Sequence, residues 1–239
     1  VVWQELTRID RAIEDGSFFT NDALAGAFDH ALAKGTCVHL MGLVSDGGVH
    51  SIDRHIHALV DLAVKRKLPP DRLWIHAFTD GRDTNFKSGV DHVGRVEKKC
   101  REAGCGRVAT VVGRYFAMDR DKRWERTGLA WRALVNAEGA KATDPVQALR
   151  EAYAREETDE FIKPVVVTNG THEPLGRIHD GDAILFFNFR ADRGRQLTTA
   201  FTDPAFAGFP REPWPRVHYV TMTQYDPAYP VAVAFKPSN

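Results

Sequence analysis

Six short runs of strand-forming residues, Thr36–Val44, Arg72–Thr79, Arg107–Val112, Pro164–Thr168, Ala183–Phe189 and Arg216–Thr223, are separated by longer amphipathic stretches. Several of these runs, CVHLMGLV and AILFFNF above all, are almost unbroken in apolar side chains, so both faces of the strands must be covered. The stretches Val2–Glu14, Asn21–Ala33, Asp53–Lys65, Val90–Ala103, Glu125–Asn136, Pro145–Ala154 and Asp192–Phe201 read as helices. Asp53 and Asp144 are placed as N-caps and Pro145 suits a first turn. Alternation of this kind predicts an α/β fold: a mostly parallel sheet with right-handed crossovers and helices on both faces. The chain has 239 residues, 43% of them hydrophobic, which suffices for one large domain of that type. Thr202–Trp214, rich in Pro and Phe, reads as a long connection, and Gln224–Asn239, with Pro227, Pro230 and Pro237, as an extended exit or hinge without a regular strand.

Charge narrows the function. Lys plus Arg and Asp plus Glu are 32 each, and a net charge of zero argues against nucleic acid as a partner, because that affinity rests on excess positive charge. Any basic site must be local. Cys37, Cys100 and Cys105 are odd in number and form no CxxC pair, as in a reduced, cytoplasmic protein. No signal peptide and no apolar run of membrane-spanning length is present, so no membrane partner is expected. Asn169-Gly170-Thr171 is a sequon by accident on this reading.

Four strand-like runs end in loops of similar chemistry. CVHLMGLV leads to SDGGVHS with Asp46 and His50; LWIHAFT leads to DGRDT with Asp80, Arg82 and Asp83; VATVVG leads to RYFAMDRD with Arg114, Asp119, Arg120 and Asp121; AILFFNF leads to RADR with Arg190, Asp192 and Arg193. Ligands of open parallel sheets bind outside the carboxyl ends of the strands, so five arginines and a histidine can converge there. Arginine's planar fork of donors matches carboxylate and phosphate oxygens. Arg190 and Arg193, three apart at an expected helix start, would share a face beside the positive end of its dipole. The ligand implied is small and carries more than one negative group, as a phosphorylated carboxylic acid does. Asp83 is the acid/base candidate, its ionised form favoured by Arg82; His50 could bind an anion, orient the ligand or move a proton. The competing reading is an internal Arg–Asp network with no ligand at all.

Other signals carry less. His55 and His57, two apart on a helix, point to different sides and read as surface or partly buried. His39 and His76 lie within strands and read as hydrogen-bonded core residues. No Walker loop, dinucleotide fingerprint or nucleophile elbow occurs, and no carboxylate–histidine cluster has metal-ligand spacing, so no metal site is assigned.

SDGGVHS, DGRDT, GRYFAMDRD and FFNFRADR together resemble the cofactor-independent (2,3-bisphosphoglycerate-independent) phosphoglycerate mutases, and VVWQELTRIDRAI and VTMTQYD resemble that family's flanking segments. The resemblance covers essentially the whole chain but only the middle of the family's sequence. It implies a two-domain enzyme in which a phosphatase-like domain holds two metal ions, commonly Mn²⁺, and a nucleophilic serine. This chain then corresponds to the inserted transferase domain alone: residues 1–8 a leading hinge, 9–223 the substrate-binding domain and 224–239 the exit hinge. The family's substrate-binding pattern falls on His50, Arg82, Asp83, Arg114, Arg120, Arg190 and Arg193, with Asp83 as the proton-transfer residue and 3- and 2-phosphoglycerate as ligands. The isolated chain is expected to be inactive, its partner being the phosphatase-like domain of the same polypeptide. The alternatives are a stand-alone phosphometabolite-binding regulatory module and a structural or interaction domain. Two departures from the family pattern stand out. Asn85 and Phe86 replace two prolines after DGRDT, predicting a less rigid loop around Asp83, and VVVTNGTHEPLGRIHDGD is longer than its counterpart, predicting an altered surface hairpin.

Overall fold

The structure, a computed structural model, describes residues 2–238. Eight strands form one sheet. β1 (Val38–Leu43) lies at its centre, parallel to β2 (Leu73–Thr79) on one side and to β6 (Ala183–Phe186) on the other. The chain moves outward from β2 to β3 (Arg107–Gly113), which pairs antiparallel with β5 (Val165–Val167); β5 in turn pairs parallel with β4 (Ala140–Ala142) at the edge. It then crosses to β6 and moves outward again through β7 (His218–Thr223) to β8 (Ala232–Phe235). The expected α/β fold is present, and its direction reverses between β1 and β6, the switch point at which such sheets hold ligands.

Strand periodicity sorts the core into two layers. Leu40, Ile75, Leu185 and Val220 face one layer, built by Leu6 and Ile9 of α1 (Val2–Asp15), Phe28 of α2 (Asp22–Lys34), Ile56 and Leu59 of α3 (Asp53–Lys65) and Val93 and Val96 of α4 (Gly89–Ala103). Past the short α5 (Arg114–Ala117), α6 (Trp124–Asn136) sends Trp131 and Leu134 to the opposite face, against Met41, Phe78, Ile184 and Phe186. The 10-residue α7 (Pro145–Ala154) returns to the first layer through Leu149, and α8 (Arg195–Thr202) adds Leu197 and Phe201 to the second. Trp131 is fully buried, 4.3 Å from the Phe201 ring and 5.7 Å from that of Phe209 in the long connection. Burying side chains of this size contributes roughly 1.5–3 kcal/mol each.

Asp144 caps α7 as expected, accepting a hydrogen bond from the Val146 amide at 2.9 Å. Asp53 does not cap α3: it is the first helical residue, and Ile52 precedes it with no side-chain acceptor. The helix expected from Asp192 begins at Arg195, so Arg190 and Arg193 lie in the preceding loop and do not share a helix face. The exit segment does carry a regular strand, β8, joined to α2 by the Asn21 side chain, which donates to the Ala234 carbonyl at 2.8 Å. Among the three-residue and proline-flanked segments, β4 and β8 had too few strand-forming residues to stand out. The long insertion turns back on itself at an isolated Thr168–Pro174 bridge, a surface hairpin. His55 is wholly buried, bonded to Asp10 of α1 at 2.9 Å, whereas His57 is partly buried.

On the α6 side of the sheet a buried polar chain crosses three strands. Asp182 accepts from His39 Nε2 at 2.8 Å, His39 Nδ1 lies 2.8 Å from His76 Nε2, and His76 Nδ1 lies 2.9 Å from Thr110 Oγ1. Every polar atom is satisfied with both imidazoles neutral, and two imidazolium rings would set N–H groups face to face. Burial lowers both histidine pKa values. The unfolded chain therefore takes up protons that the folded chain refuses below pH ~6.5. Stability is fully present above that pH and falls below it, by ~1.4 kcal/mol per pH unit for each such histidine. Denaturant unfolding between pH 7.5 and 5.5 should show this slope, and it should shrink in His39→Gln; a slope indifferent to that substitution contradicts the assignment.

Candidate functional site

At the carboxyl ends of β1, β2 and β3 the loops are tied to one arginine. Arg114, only 3% exposed, donates through Nη1 to Asp80 Oδ1 at 2.9 Å and to Asp83 Oδ2 at 2.8 Å, and through Nη2 to His50 Nε2 at 3.2 Å. It leaves β3 directly, as the first residue of α5. Asp80 is 2% exposed and organises its own loop: Oδ1 also accepts from the Arg82 and Asp83 amides at 3.1 and 2.9 Å, and Oδ2 from Ser45 Oγ at 2.8 Å. Burial opposes its ionisation, but the Asp83 amide, the Arg114 charge and the Ser45 hydroxyl outweigh burial and hold its pKa below the usual range.

The geometry corrects two details of the expected site. Asp83 pairs with Arg114, not Arg82, whose guanidinium instead reaches Glu160 at 3.7 Å. The loop around Asp83 is also well held despite Asn85 and Phe86. The Asp159 amide donates to the Phe86 carbonyl, the Asp159 carboxylate accepts from the Gly89 amide at 2.7 Å and from Tyr153, and Thr79 donates to the Asp159 carbonyl at 2.6 Å. Burial lifts the Asp159 pKa to about 6.

His50 is neutral. Burial, followed by the charge of Arg114, lowers its pKa to about 4. Because Arg114 donates to Nε2, the proton sits on Nδ1, a buried atom without a protein partner. Of the roles expected for His50, donating a hydrogen bond fits this tautomer and cationic anion binding does not.

On the β6 side, Asn188 locks the switch point: its Oδ1 accepts from the Leu43 amide at 2.9 Å, and its carbonyl accepts from Tyr225 at 2.6 Å. A side chain at Gly42 would strike Phe187 and Asn188, the latter at 2.8 Å, and its φ of 154° favours glycine. Beyond Asn188, Arg190 Nε lies 3.1 Å from Asp192 Oδ1, and Arg120 donates to Asp192 Oδ2 at 3.2 Å. Arg193 differs. It donates to the Met118 carbonyl at 3.1 Å and, among the described residues, forms no ion pair. Its pKa is lowered first by burial and then by the positive charges of Arg114, Arg120 and Arg82. Arg82, Arg114 and Arg120 thus lie near Arg193, and Arg190 and Asp83 lie near His50, all at the strand ends.

Asp80, Ser45, Asn188 and Asp159 support this arrangement and had no role assigned from sequence. Asn188 did leave a signal, being the one polar residue in the apolar run AILFFNF. Asp159, in an irregular segment, left none. Among the described residues no group of three or more His, Cys, Asp or Glu side chains could hold a metal ion. No helix among the described residues is long and apolar enough to cross a membrane.

Fold and site define a doubly wound α/β domain whose strand-end loops gather arginines beside its switch point. The chain belongs to the family described as BPG-independent PGAM N-terminus, whose model matches residues 9–227. It is 53% identical over 239 residues to the 2,3-bisphosphoglycerate-independent phosphoglycerate mutase of Moorella thermoacetica, covering 99% of this chain and 46% of that protein. A Methanosarcina barkeri mutase is 49% identical, covering 100% of this chain and 46% of its own length. A phosphoglycerate mutase from Leishmania mexicana, crystallised at low cobalt concentration, superposes with a TM-score of 0.85 at 36% identity, over 93% of this chain and 42% of that one. The chain thus spans just under half the length of these relatives.

Two measurements check the site. The ring nitrogens of His50, followed by ¹⁵N NMR, should show the Nδ1–H tautomer throughout pH 5–8 and titrate near pH 4; titration near 6.5 would contradict the geometry. Asp80→Asn should cost ~3–5 kcal/mol of unfolding free energy, as expected when a buried ion pair loses one partner; a loss under ~1 kcal/mol would mean Arg114 is held by other contacts.

Proposed function

We propose that this chain is the substrate-binding, phosphotransfer half of an isomerase that interconverts 3-phosphoglycerate and 2-phosphoglycerate. The observation that carries this reading is Arg193, half-buried among like charges, in no ion pair among the described residues, and with Asp192, already shared by Arg120 and Arg190, as its nearby negative charge. An internal ion network, the competing reading, would supply it a counter-ion of its own. A ligand bearing a carboxylate and a phosphate supplies two.

On this proposal Arg120, Arg190 and Arg193 bind the anionic groups in the bidentate manner of guanidinium, while Arg114 stays paired and sets the position of Asp83. Arg114 engages Oδ2 of Asp83, leaving a partly exposed carboxylate to exchange a proton with a glycerate hydroxyl. As a carboxylate it takes the proton of the hydroxyl to which the phosphoryl group returns and passes it to the serine oxygen set free. In the first step the proton lost by the serine goes to the departing glycerate oxygen. The neutral His50 donates through Nδ1. The phosphoryl group passes to a serine elsewhere in a longer polypeptide and returns to the other hydroxyl of the same glycerate, so the ligand must be held throughout and shielded from water.

The share of the relatives that this chain spans supports a second, phosphatase-like domain as its partner, with two divalent ions such as Mn²⁺; the cobalt present with the Leishmania mexicana enzyme is in keeping with divalent ions. Residues 1–8 and 224–239 are proposed as the hinges to it. They lie side by side, with Arg8 of α1 donating to the Lys236 carbonyl, as two connections leaving at one point require. A cytoplasmic location completes the proposal.

Calorimetric titration with 3-phosphoglycerate at low salt tests it. Saturable binding without added metal, lost in Arg190→Ala while the thermal unfolding midpoint is kept, is the expected result. Unchanged binding in Arg190→Ala would put the ligand elsewhere and overturn the site reading, and a variant that loses stability while no ligand binds to either form would favour the internal network. Turnover of 3-phosphoglycerate by the chain alone should be undetectable.

A further inference from the structure

The crevice holds two kinds of ion pair. Asp80 and Arg114 are both nearly inaccessible, and Asp80 accepts further bonds from two amides and a hydroxyl. Asp192 is different. Its partners Arg120 and Arg190 have side chains 47% and 40% exposed. Arg120 donates to Oδ2 at 3.2 Å, but Arg190 Nε, though 3.1 Å from Oδ1, is out of line for a hydrogen bond, and Oδ1 is buried without one. The carboxylate is held by charge more than by directed bonds. It also stands between two strand-end loops, that of β3 carrying Arg120 and that of β6 carrying Arg190, beside the unpaired Arg193. An aspartate there is unexpected in a crevice that collects arginines for an anion, because it opposes the ligand's charge.

We propose that Asp192 is a resident counter-anion, a positioning residue that holds Arg120 and Arg190 in the place where ligand oxygens will lie and yields them when the ligand arrives. This rests on the reading of the crevice as a site for a phosphorylated carboxylate. Asp192 keeps the two exposed arginines from splaying into solvent and weakens binding of every anion by adding a competing negative charge. A ligand with two anionic ends engages Arg120, Arg190 and Arg193 together and offsets that competition. Inorganic phosphate, with one end, cannot. Asp192 therefore sets selectivity as well as affinity, and it keeps the hold loose enough for a bound glycerate to turn between its two hydroxyls.

The test is calorimetric titration of wild type, Asp192→Asn, Asp192→Glu and Arg190→Ala with 3-phosphoglycerate and, separately, with inorganic phosphate, at two salt concentrations. Asp192→Asn should bind 3-phosphoglycerate about tenfold tighter, the scale of one screened charge–charge interaction. Its gain for phosphate should be larger, so that the preference for 3-phosphoglycerate falls, and both gains should shrink at high salt. Asp192→Glu, which keeps the charge, should restore the wild-type preference. Weaker or unchanged binding in Asp192→Asn, where wild type binds and Arg190→Ala does not, overturns this inference and leaves the site reading intact. Binding that survives Arg190→Ala overturns the site reading itself. If no form binds either ligand, both fall, since removing the competing charge should at least reveal a phosphate site.

Discussion

The Arg114–Asp80 pair, buried at the ends of β3 and β2, is the contact on which the crevice depends. Taking two charges out of water costs several kcal/mol per ion, and only good geometry with further hydrogen bonds recovers it. Here the recovery is complete in kind. Asp80 accepts from Arg114, two amides of its own loop and Ser45 of the neighbouring loop, and Arg114 spreads its donors over Asp80, Asp83 and His50. One ion pair therefore fixes the loops after three adjacent strands and sets the tautomer of His50.

That economy follows from topology. Parallel strands deliver all their carboxyl ends to the same edge, and reversal of strand order between β1 and β6 opens a gap there. Loops 140 residues apart in sequence meet across it, with Asn188 closing its floor by accepting from the Leu43 amide. Charge then divides by depth. The inner pair is buried and fully bonded, whereas the outer Arg120 and Arg190 are half-exposed and share a single aspartate. A protein of zero net charge thus concentrates positive potential in one place.

The α/β class, the strand-end loops and the converging residues were legible because each rests on a pattern within one segment: continuous apolar runs, a turn, an arginine just past it. What escaped depended on partners distant in sequence. Asp83 was paired with its neighbour Arg82, yet Arg114 claims it from the next strand. The DGRDT loop has no prolines but is braced by Asp159, which lies beyond four further helices. His55 was read as surface or partly buried, not wholly buried, because nothing nearby in sequence announces Asp10 beside it. Helix onset at Arg195 rather than Asp192 has the same origin, since Asp192 is drawn to Arg120 and Arg190 instead of capping. The family resemblance named candidate site residues individually but said nothing of which pairs are buried and which are half-exposed.

The central claim is that a preformed inner pair presents the outer arginines to a phosphorylated carboxylate. A crystal structure of the chain grown with 3-phosphoglycerate tests it most directly. The account predicts ligand oxygens on Arg190 and Arg193, a hydroxyl within hydrogen-bond reach of Asp83, and Arg114 still on Asp80 as it is here. A ligand bound away from these arginines, or an Arg114 that leaves Asp80 to grasp the ligand, would contradict it.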